Sequence, residues 1–514
     1  MGKVESSAII NLGEMASKER MKNERIVSIA KSMCLACMNI VAYVWLLRDY
    51  IFSIYYSMPA NDDFALGINW WGKNILGEAI SRAWWNYNNW GGQSGMVAVL
   101  VQVFFNPLYW CGTKGHAFSI CMLIANGIIL FGIIEAIKGF IENYFEIENQ
   151  IVVDVVCFLI IAVISTSHYY NDVYNWWSGL IGYAFMLMLS MQTINFECKY
   201  LKTGSKYHYG IMVALGILAC SSVMNCAFVG ALYIFLVMRD FSNQKGKIVT
   251  LVIPLCCYIS SGVLTVAAPG NRVRMLARPG EVTSASTALR TSFELIHYRL
   301  TTTFEEEPIV KVLLALILIM GFFISKRAVR FRYILLGGLL MAVVCSASIL
   351  PYVYGQSKTL DAEFAPRAMY VFDYYMFIGL SMLLFSIGGL IAQVNVRGAA
   401  FGKVFVVLVP FSFALYVLPS VVWENIIQKD IEKDKAVIIE TFEVWNDIFQ
   451  EFAEATEGSS VVALRPELTW TPYFYYPGVD DEICDPIQPG EGYANCNQSV
   501  AKYFGMSRVS VVFE

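Results

Sequence analysis

The sequence predicts an all-α, multi-pass membrane protein with a small α/β domain at its C-terminal end, and three observations carry that reading. The 514 residues are 57% hydrophobic and 15% charged, with a mean hydropathy of +0.53, whereas soluble domains average about 45–50% apolar and about 25% charged residues. Apolar runs of the about 20 residues that cross a ~30 Å hydrocarbon layer recur along the first 423 positions. Charge is also unevenly divided. Residues 424–514 carry 17 acidic and 6 basic side chains, a net of −11 against −4 for the whole chain, which leaves +7 for the rest. Disordered, collagen-like and ordinary cytosolic classes are excluded. The basic residues lie in short clusters between apolar runs, so no nucleic-acid partner is expected.

Candidate spans fall at 33–56, 117–137, 150–166, 179–195, 209–238, 248–266, 308–325, 333–350, 369–393 and 404–423. The polar start of the chain (Met1 to Lys31) shows no cleavable signal, so the first apolar run is expected to direct insertion. Basic residues favour the cytoplasmic side, which places Lys18 to Lys31, Lys199 to Lys206, Arg239 to Lys247, Lys326 to Arg332 and Arg397 to Lys403 inside. This parity makes 94–111 an interfacial or re-entrant helix. It also breaks 209–238 near Ser221-Ser222 and Asn225, since one helix of 30 residues would run about 45 Å. The expectation is about eleven spans in a plasma membrane, with the N-terminus cytoplasmic and the C-terminus outside. The domains are then a cytoplasmic segment 1–32, a transmembrane domain 33–423 with a first outer loop at 57–116, and an extracytoplasmic domain 424–514.

The long outer segments (57–116, 167–178, 267–307, 351–368 and the tail) are where chemistry is expected. Just after the first span comes Asn61-Asp62-Asp63-Phe64. Asp62 and Asp63 can act as a general base or bind a divalent cation such as magnesium or manganese through hard oxygen ligands; Asn-Asp-Asp equally suits a turn or a helix N-cap. Five of the twelve tryptophans fall between Trp70 and Trp90, interleaved with Asn86, Asn88 and Asn89. Asn175, Trp176 and Trp177 repeat this aromatic-amide composition. Flat rings beside amides suit sugars, and they also suit an interfacial aromatic belt.

The third outer segment, Ala268-Pro269-Gly270-Asn271-Arg272-Val273-Arg274, presents amides and two guanidinium groups directly after a span. Arginine forks onto phosphate, here a lipid headgroup or a polyprenyl-phosphate carrier. Arg278, Arg290, Arg299 and His297 are further candidates. The Glu305-Glu306-Glu307 run reads as a solvated helix start. Asp373 inside a span needs a partner, and Arg367 or another loop arginine is the expected one. Eleven of the thirteen cysteines read as small core residues. Cys484 and Cys496, in the polar tail, are expected to form a disulfide. Within the tail, Ile427 to Phe449 shows helical spacing over about 30 residues, and Val461–Leu464 and the residues from Val509 read as strands.

Taken together, the Asp62-Asp63-Phe64 element, Trp90-Gly91-Gly92, Asn175-Trp176-Trp177-Ser178-Gly179, Ala268-Pro269-Gly270-Asn271 and Tyr503-Phe504-Gly505 give a chain that resembles the GT-C superfamily of polytopic glycosyltransferases. It resembles in particular an uncharacterised bacterial group with that architecture. One departure is Gly92-Gln93, where the family has Arg after its Trp-x-Gly element. The resemblance implies an inverting enzyme that transfers sugar from a polyprenyl-phosphate donor to a cell-envelope glycan or glycolipid acceptor outside a bacterial plasma membrane, among membrane lipids. It further implies that Asp62 or Asp63 is the base or cation ligand and that Arg272, Arg274 or Arg367 contacts phosphate. The aromatic and amide side chains of Trp90, Asn175, Trp176, Trp177, Asn271 and His297 complete the expected substrate site. A polysaccharide polymerase or ligase and a lipid-linked glycan flippase or transporter are the alternatives.

Overall fold

The computed structural model describes residues 33–90, 95–244, 248–276, 284–324, 330–356, 358–360, 364–395, 425–482, 484 and 496–514. Two compact units are present, Met1–Arg48 and Asp49–Glu514. In the first, α1 spans Met33–Leu46. Helix α2 (Arg48–Tyr55) lies in the second unit from Asp49 on, and the short α3 (Asp62–Gly67) comes next. A hairpin of α4 (Ile75–Asn89) and α5 (Gly95–Phe104) follows, then α6 (Pro107–Trp110), α7 (Ala117–Phe145), α8 (Gln150–Ile164) and α9 (Asn171–Tyr174). Next are α10 (Trp177–Thr203), which contains a π-helical turn at Leu180–Phe185, α11 (Lys206–Ala219), α12 (Val223–Gln244), α13 (Ile248–Val266) and α14 (Pro269–Leu276). The chain continues through α15 (Ala285–Glu306), α16 (Pro308–Ile324), α17 (Phe331–Gln356), α18 (Pro366–Asn395) and α19 (Ile426–Glu454), then β1 (Ser460–Arg465), α20 (Cys496–Tyr503) and β2 (Arg508–Phe513).

Among the described residues, five helices are long and apolar enough to cross a membrane, and α1 with α2 makes a sixth if that bent pair is one span. The expected count of eleven is larger. Helices α8 and α16, the apolar part of α12 (Val223–Arg239) and the 95–110 pair are apolar but shorter; the 15 residues of α8 rise about 22 Å, less than the ~30 Å hydrocarbon layer. The last expected span, 404–423, lies outside the described residues, as do the basic clusters at 18–31, 245–247, 326–327 and 397–403 and Arg278.

The expected break in 209–238 falls at Cys220–Ser222. It serves as a docking point for α5. Gly95 (φ +70°) sits so close that a Cβ would lie 1.9 Å from the Ser221 carbonyl oxygen, so no other residue fits that approach. The α4–α5 hairpin closes on Leu66, Ala79, Ala83, Val99 and Val103. At the far side, α16 and α18 pack backbone to backbone through Gly321 and Gly388. A Cβ on either would stand 2.1 Å from a carbonyl oxygen of the other helix, the small-residue contact by which membrane helices associate.

Residues 425–514 are not a separate body but belong to the same compact unit as the helices. A capping box (Asn425 and Gln428) starts α19. The buried Glu307 carboxylate accepts the Ile426 N–H at 3.2 and 3.3 Å, so Glu307 is an anchor for the positive end of that helix and not a solvated residue. Strands β1 and β2 pair in parallel, Ser460 opposite Arg508 through Arg465 opposite Phe513. The ring of Phe64, from α3, lies edge-on to Phe449 and Tyr503 at 5.4 and 5.5 Å. The tail thus packs directly behind the aspartate pair. Cys496 donates its thiol hydrogen to the Pro477 carbonyl at 3.0 Å, and no bond joins it to Cys484 in this structure.

Asp373 is fully buried. Its partner is Arg299, which forks onto both oxygens at 3.1 and 2.8 Å while Ser167 donates at 2.9 Å. Arg367 points elsewhere, toward the loop end.

Candidate functional site

Asp62 and Asp63 are adjacent in the first turn of α3, about 100° apart around the helix axis, and that rotation separates their environments. Asp63 is 0% exposed. Its Oδ1 accepts the Ser178 N–H (3.0 Å) and hydroxyl (2.6 Å), and its Oδ2 accepts the Ala60 N–H (3.1 Å). Burial pushes its carboxyl up to about 7 against the pull of those three donors. The side chain is a clamp tying α3 to the start of α10. Asp62 is half-buried and makes no hydrogen bond among the described residues. Its carboxyl is raised by burial and held down by three guanidinium groups, Arg367 first, then Arg82 and Arg274.

Each of those arginines is set by an aromatic ring. Arg82 on α4 is buried, 5.4 and 5.1 Å from the ring centres of Trp70 and Trp85. Trp70 is itself fixed by hydrogen bonds to Glu78 (2.8 Å) and to the Ala65 carbonyl (2.8 Å). Arg274 on α14 lies 5.1 Å from the Trp90 ring. Arg367, at the start of α18, lies 5.4 Å from the Trp176 ring, 3.4 Å from Asp172 and in a hydrogen bond with Tyr183 of the π turn. Three segments far apart in sequence therefore act electrostatically on Asp62.

The tail supplies the remaining wall. Tyr475 stacks on Trp176 (5.1 Å, 8° between planes), and the Asn61 amide reaches its hydroxyl at 3.5 Å. Asn61 has a left-handed backbone (φ +45°) and donates its N–H to Pro477 at 2.9 Å. Space for its side chain exists because residue 478 is glycine: φ there is +81°, and a Cβ would sit 2.3 Å from Asn61 Oδ1. Gly478→Ala is expected to destabilise the protein by about 2 kcal/mol, measured as a fall in Tm in detergent, because both the backbone conformation and the Asn61 pocket are lost.

Several other sequence-predicted residues have partners within the fold. Asn175 is buried and bonds Ser53 (2.5 Å), Asn171 (2.6 Å) and the Tyr473 carbonyl (3.3 Å). Trp177 is buried with its indole N–H on the Gln102 carbonyl at 2.9 Å. Asn271 caps the end of α13 by donating to Thr265 and Val266. His297 is exposed on α15, and no interaction described here joins it to Asp62. Gly91-Gly92 lies outside the described residues. Arg82 and Tyr475 had no motif to announce them. The available signal was a charge inside a tryptophan-rich helix and a Tyr-Phe-Tyr-Tyr run in an otherwise acidic tail.

A divalent cation does not fit this donor set. Both Asp63 oxygens are occupied by internal donors, Asp62 faces three positive charges, and among the described residues no group of three or more His, Cys, Asp or Glu converges on one point.

Beside Arg274 a cavity of about 1170 Å³ opens between α13, α14 and the end of α17. Arg272, Arg274 and Asn271 are at its polar edge, and Val266, Leu276 and Leu350 are among its apolar walls. A second apolar cavity of about 380 Å³ between α12 and α13 shares Val223, Val266 and Ala267 with it.

The fold and these long apolar helices define a multi-pass, all-α membrane protein. Compared with models of known protein families and with curated proteins, the chain matches none.

Proposed function

We propose that the chain is a membrane glycosyltransferase that moves a sugar from a polyprenyl-phosphate donor onto a cell-envelope glycan or glycolipid acceptor at the outer face of a bacterial plasma membrane. The observation that carries the reading is Asp62, a half-buried carboxylate without a hydrogen bond among the described residues and in the field of Arg367, Arg82 and Arg274, together with a lipid-sized apolar cavity lined by Arg272 and Arg274. The short motifs that resemble the GT-C superfamily lie on the same elements: Asp62-Asp63-Phe64 on α3, Trp90 beneath Arg274, and Trp176-Trp177-Ser178 around Asp63.

In this mechanism Asp62 removes the proton of the acceptor hydroxyl. The resulting oxygen attacks the anomeric carbon in line, the bond from that carbon to the phosphate oxygen breaks, and polyprenyl phosphate leaves with the electron pair. Arg274 and Arg367 stabilise the charge that grows on the leaving phosphate. Asp63 touches no reactant; it holds the turn on which Asp62 stands. Trp176 and Tyr475 offer the sugar an aromatic edge.

Purified full-length protein given a radiolabelled polyprenyl-phosphate monosaccharide and envelope glycolipid is expected to release unlabelled polyprenyl phosphate and label the acceptor. Transfer only from a preassembled oligosaccharide donor would make it a polymerase or ligase. Arg274→Gln is expected to raise KM for the lipid donor about 10-fold, with a smaller change in kcat, because a hydrogen bond to a charged group contributes about 1.5–3 kcal/mol.

One observation favours the transporter reading. Glu197 in α10 is 0% exposed, and neither carboxylate oxygen has a hydrogen-bond partner among the described residues; such groups within membrane helices often mark ion or proton paths. Under the glycosyltransferase reading, Glu197→Gln leaves transfer in detergent at the parental rate. Loss of lipid-glycan translocation in liposomes, with no bond formation in the parent, would install the transporter instead.

A further inference from the structure

Cys111 and Cys121 bring their sulfurs to 3.0 Å, well inside ordinary sulfur–sulfur contact and within reach of the ~2.05 Å bond of a disulfide. Cys111 follows α6 and Cys121 lies in the first turns of α7. Between them is a turn made by Gly112 (φ +66°) and Gly115 (φ +55°). Both thiols are partly exposed, and the neighbouring Lys114 is exposed.

The turn is also a seam. The Gly115 N–H donates to Asn446 of α19 at 2.8 Å, and the His116 ring stacks on Tyr55 (4.2 Å) and on Phe442 (4.4 Å). Behind it, Tyr503 of the tail donates to the Leu108 carbonyl at 3.3 Å, and Asn106 donates to the Asp63 carbonyl at 3.0 Å. A covalent tie at 111–121 would therefore brace the elements that hold the aspartate turn from behind.

We propose that Cys111 and Cys121 form a disulfide in the mature protein, made on the outer face of the membrane by a disulfide-bearing oxidant such as an exported thiol–disulfide oxidoreductase. One cysteine thiolate attacks the oxidant's S–S bond and releases one of its sulfurs as a thiol. The second cysteine then attacks the mixed disulfide and releases the other. Two S–H bonds of this chain break, one S–S bond forms, and the oxidant leaves as a dithiol carrying both electrons. Burial and the neighbouring sulfur hold the Cys111 thiol up at about 12, so the uncatalysed reaction is slow and the enzymatic route is needed. The inference rests on the same outward placement of residues 57–116 as the proposed activity.

The test uses full-length protein from intact cells, quenched in acid, with free thiols blocked under denaturing conditions and digested without reduction. The expected result is a cross-linked peptide pair joining Cys111 to Cys121, two hydrogens lighter than the separate peptides and resolved by reductant, together with a fall in Tm when the native protein is reduced. Blocking groups on both cysteines, or linkage of either to a different cysteine, overturns the proposal. A Lys114→Cys reporter in a Cys111→Ser, Cys121→Ser background, probed on intact cells with a membrane-impermeant maleimide, separates the causes. Blocked native thiols with a labelled reporter sink the disulfide alone. Blocked thiols with an unlabelled reporter sink the outward placement, and the proposed activity with it.

Discussion

Asp62→Asn is expected to lower kcat for sugar transfer by about 10²–10⁴-fold, the usual loss when a general base is removed, which corresponds to about 3–5 kcal/mol of transition-state stabilisation. KM for the lipid donor should stay constant or fall. The reason lies in the charge balance around the residue. Arg82, Arg274 and Arg367 all act on Asp62, and removing its negative charge leaves them more attractive to a phosphate. The variant should therefore bind donor at least as well as the parent while failing to activate the acceptor. Arg274→Gln should do the reverse, with its effect mainly on KM. A steady-state comparison of the two reads this opposition directly. If Asp62→Asn turns over at the parental rate, or if its KM rises in parallel with a modest loss of kcat, the base assignment is wrong.

The pH profile adds an independent check on the same residue. Burial raises the Asp62 carboxyl above its ordinary value of 3.8, and a base works only when deprotonated. The parental kcat/KM should therefore fall on the acid side with a midpoint above the usual carboxylate range, and that limb should be absent from the residual activity of Asp62→Asn.

Much of the architecture could be read in the sequence because hydrophobic periodicity and breaker residues report local structure. The helix from Ile426 and its capping residues, the strands near Val461 and Val509, and the interruption at Ser221-Ser222 are each written in a short window. The site was legible only as a set of residue types. Two adjacent aspartates look alike in a sequence, yet their different surroundings follow from which one turns toward Ser178 and which is acted on by three arginines contributed by α4, α14 and α18. The same limit left the partner of Asp373 open between Arg367 and another outer arginine: it takes Arg299 across 74 positions while Arg367 turns to Asp172 and Trp176. Asn175 and Trp177 have the composition of a sugar platform, but amides and indoles serve equally well to satisfy buried carbonyls, and here they do. The acidity of the tail said nothing about which elements it packs against. Net charge governs solubility and not docking, and the tail's aromatic residues, Tyr473, Tyr475 and Tyr503, fix it against the helices.

Asp63 should reveal itself through stability and not through binding. Removing its carboxylate in Asp63→Ala leaves the Ala60 and Ser178 N–H groups and the Ser178 hydroxyl without an acceptor in a buried position, at about 1–3 kcal/mol for each group left unsatisfied. A loss of about 3 kcal/mol or more is therefore expected. The sharper test uses Asp63→Asn, which keeps the shape and removes the titration. In the folded protein burial raises the Asp63 carboxyl from 3.8 to about 7, so between those values the folded state holds a proton that the unfolded chain has released. This contribution to stability is fully present below pH 3.8 and is lost as pH rises to about 7, a total of about 4 kcal/mol at about 1.36 kcal/mol per pH unit. The Tm of the parent should consequently gain on that of Asp63→Asn as pH is lowered from 7 toward 4, in detergent at constant salt. A difference in Tm that is flat across this range would mean that Asp63 remains ionised throughout, with its three donors outweighing burial. An activity loss in Asp63→Asn as deep as that of Asp62→Asn, at unchanged Tm, would transfer the role of base from the first aspartate to the second.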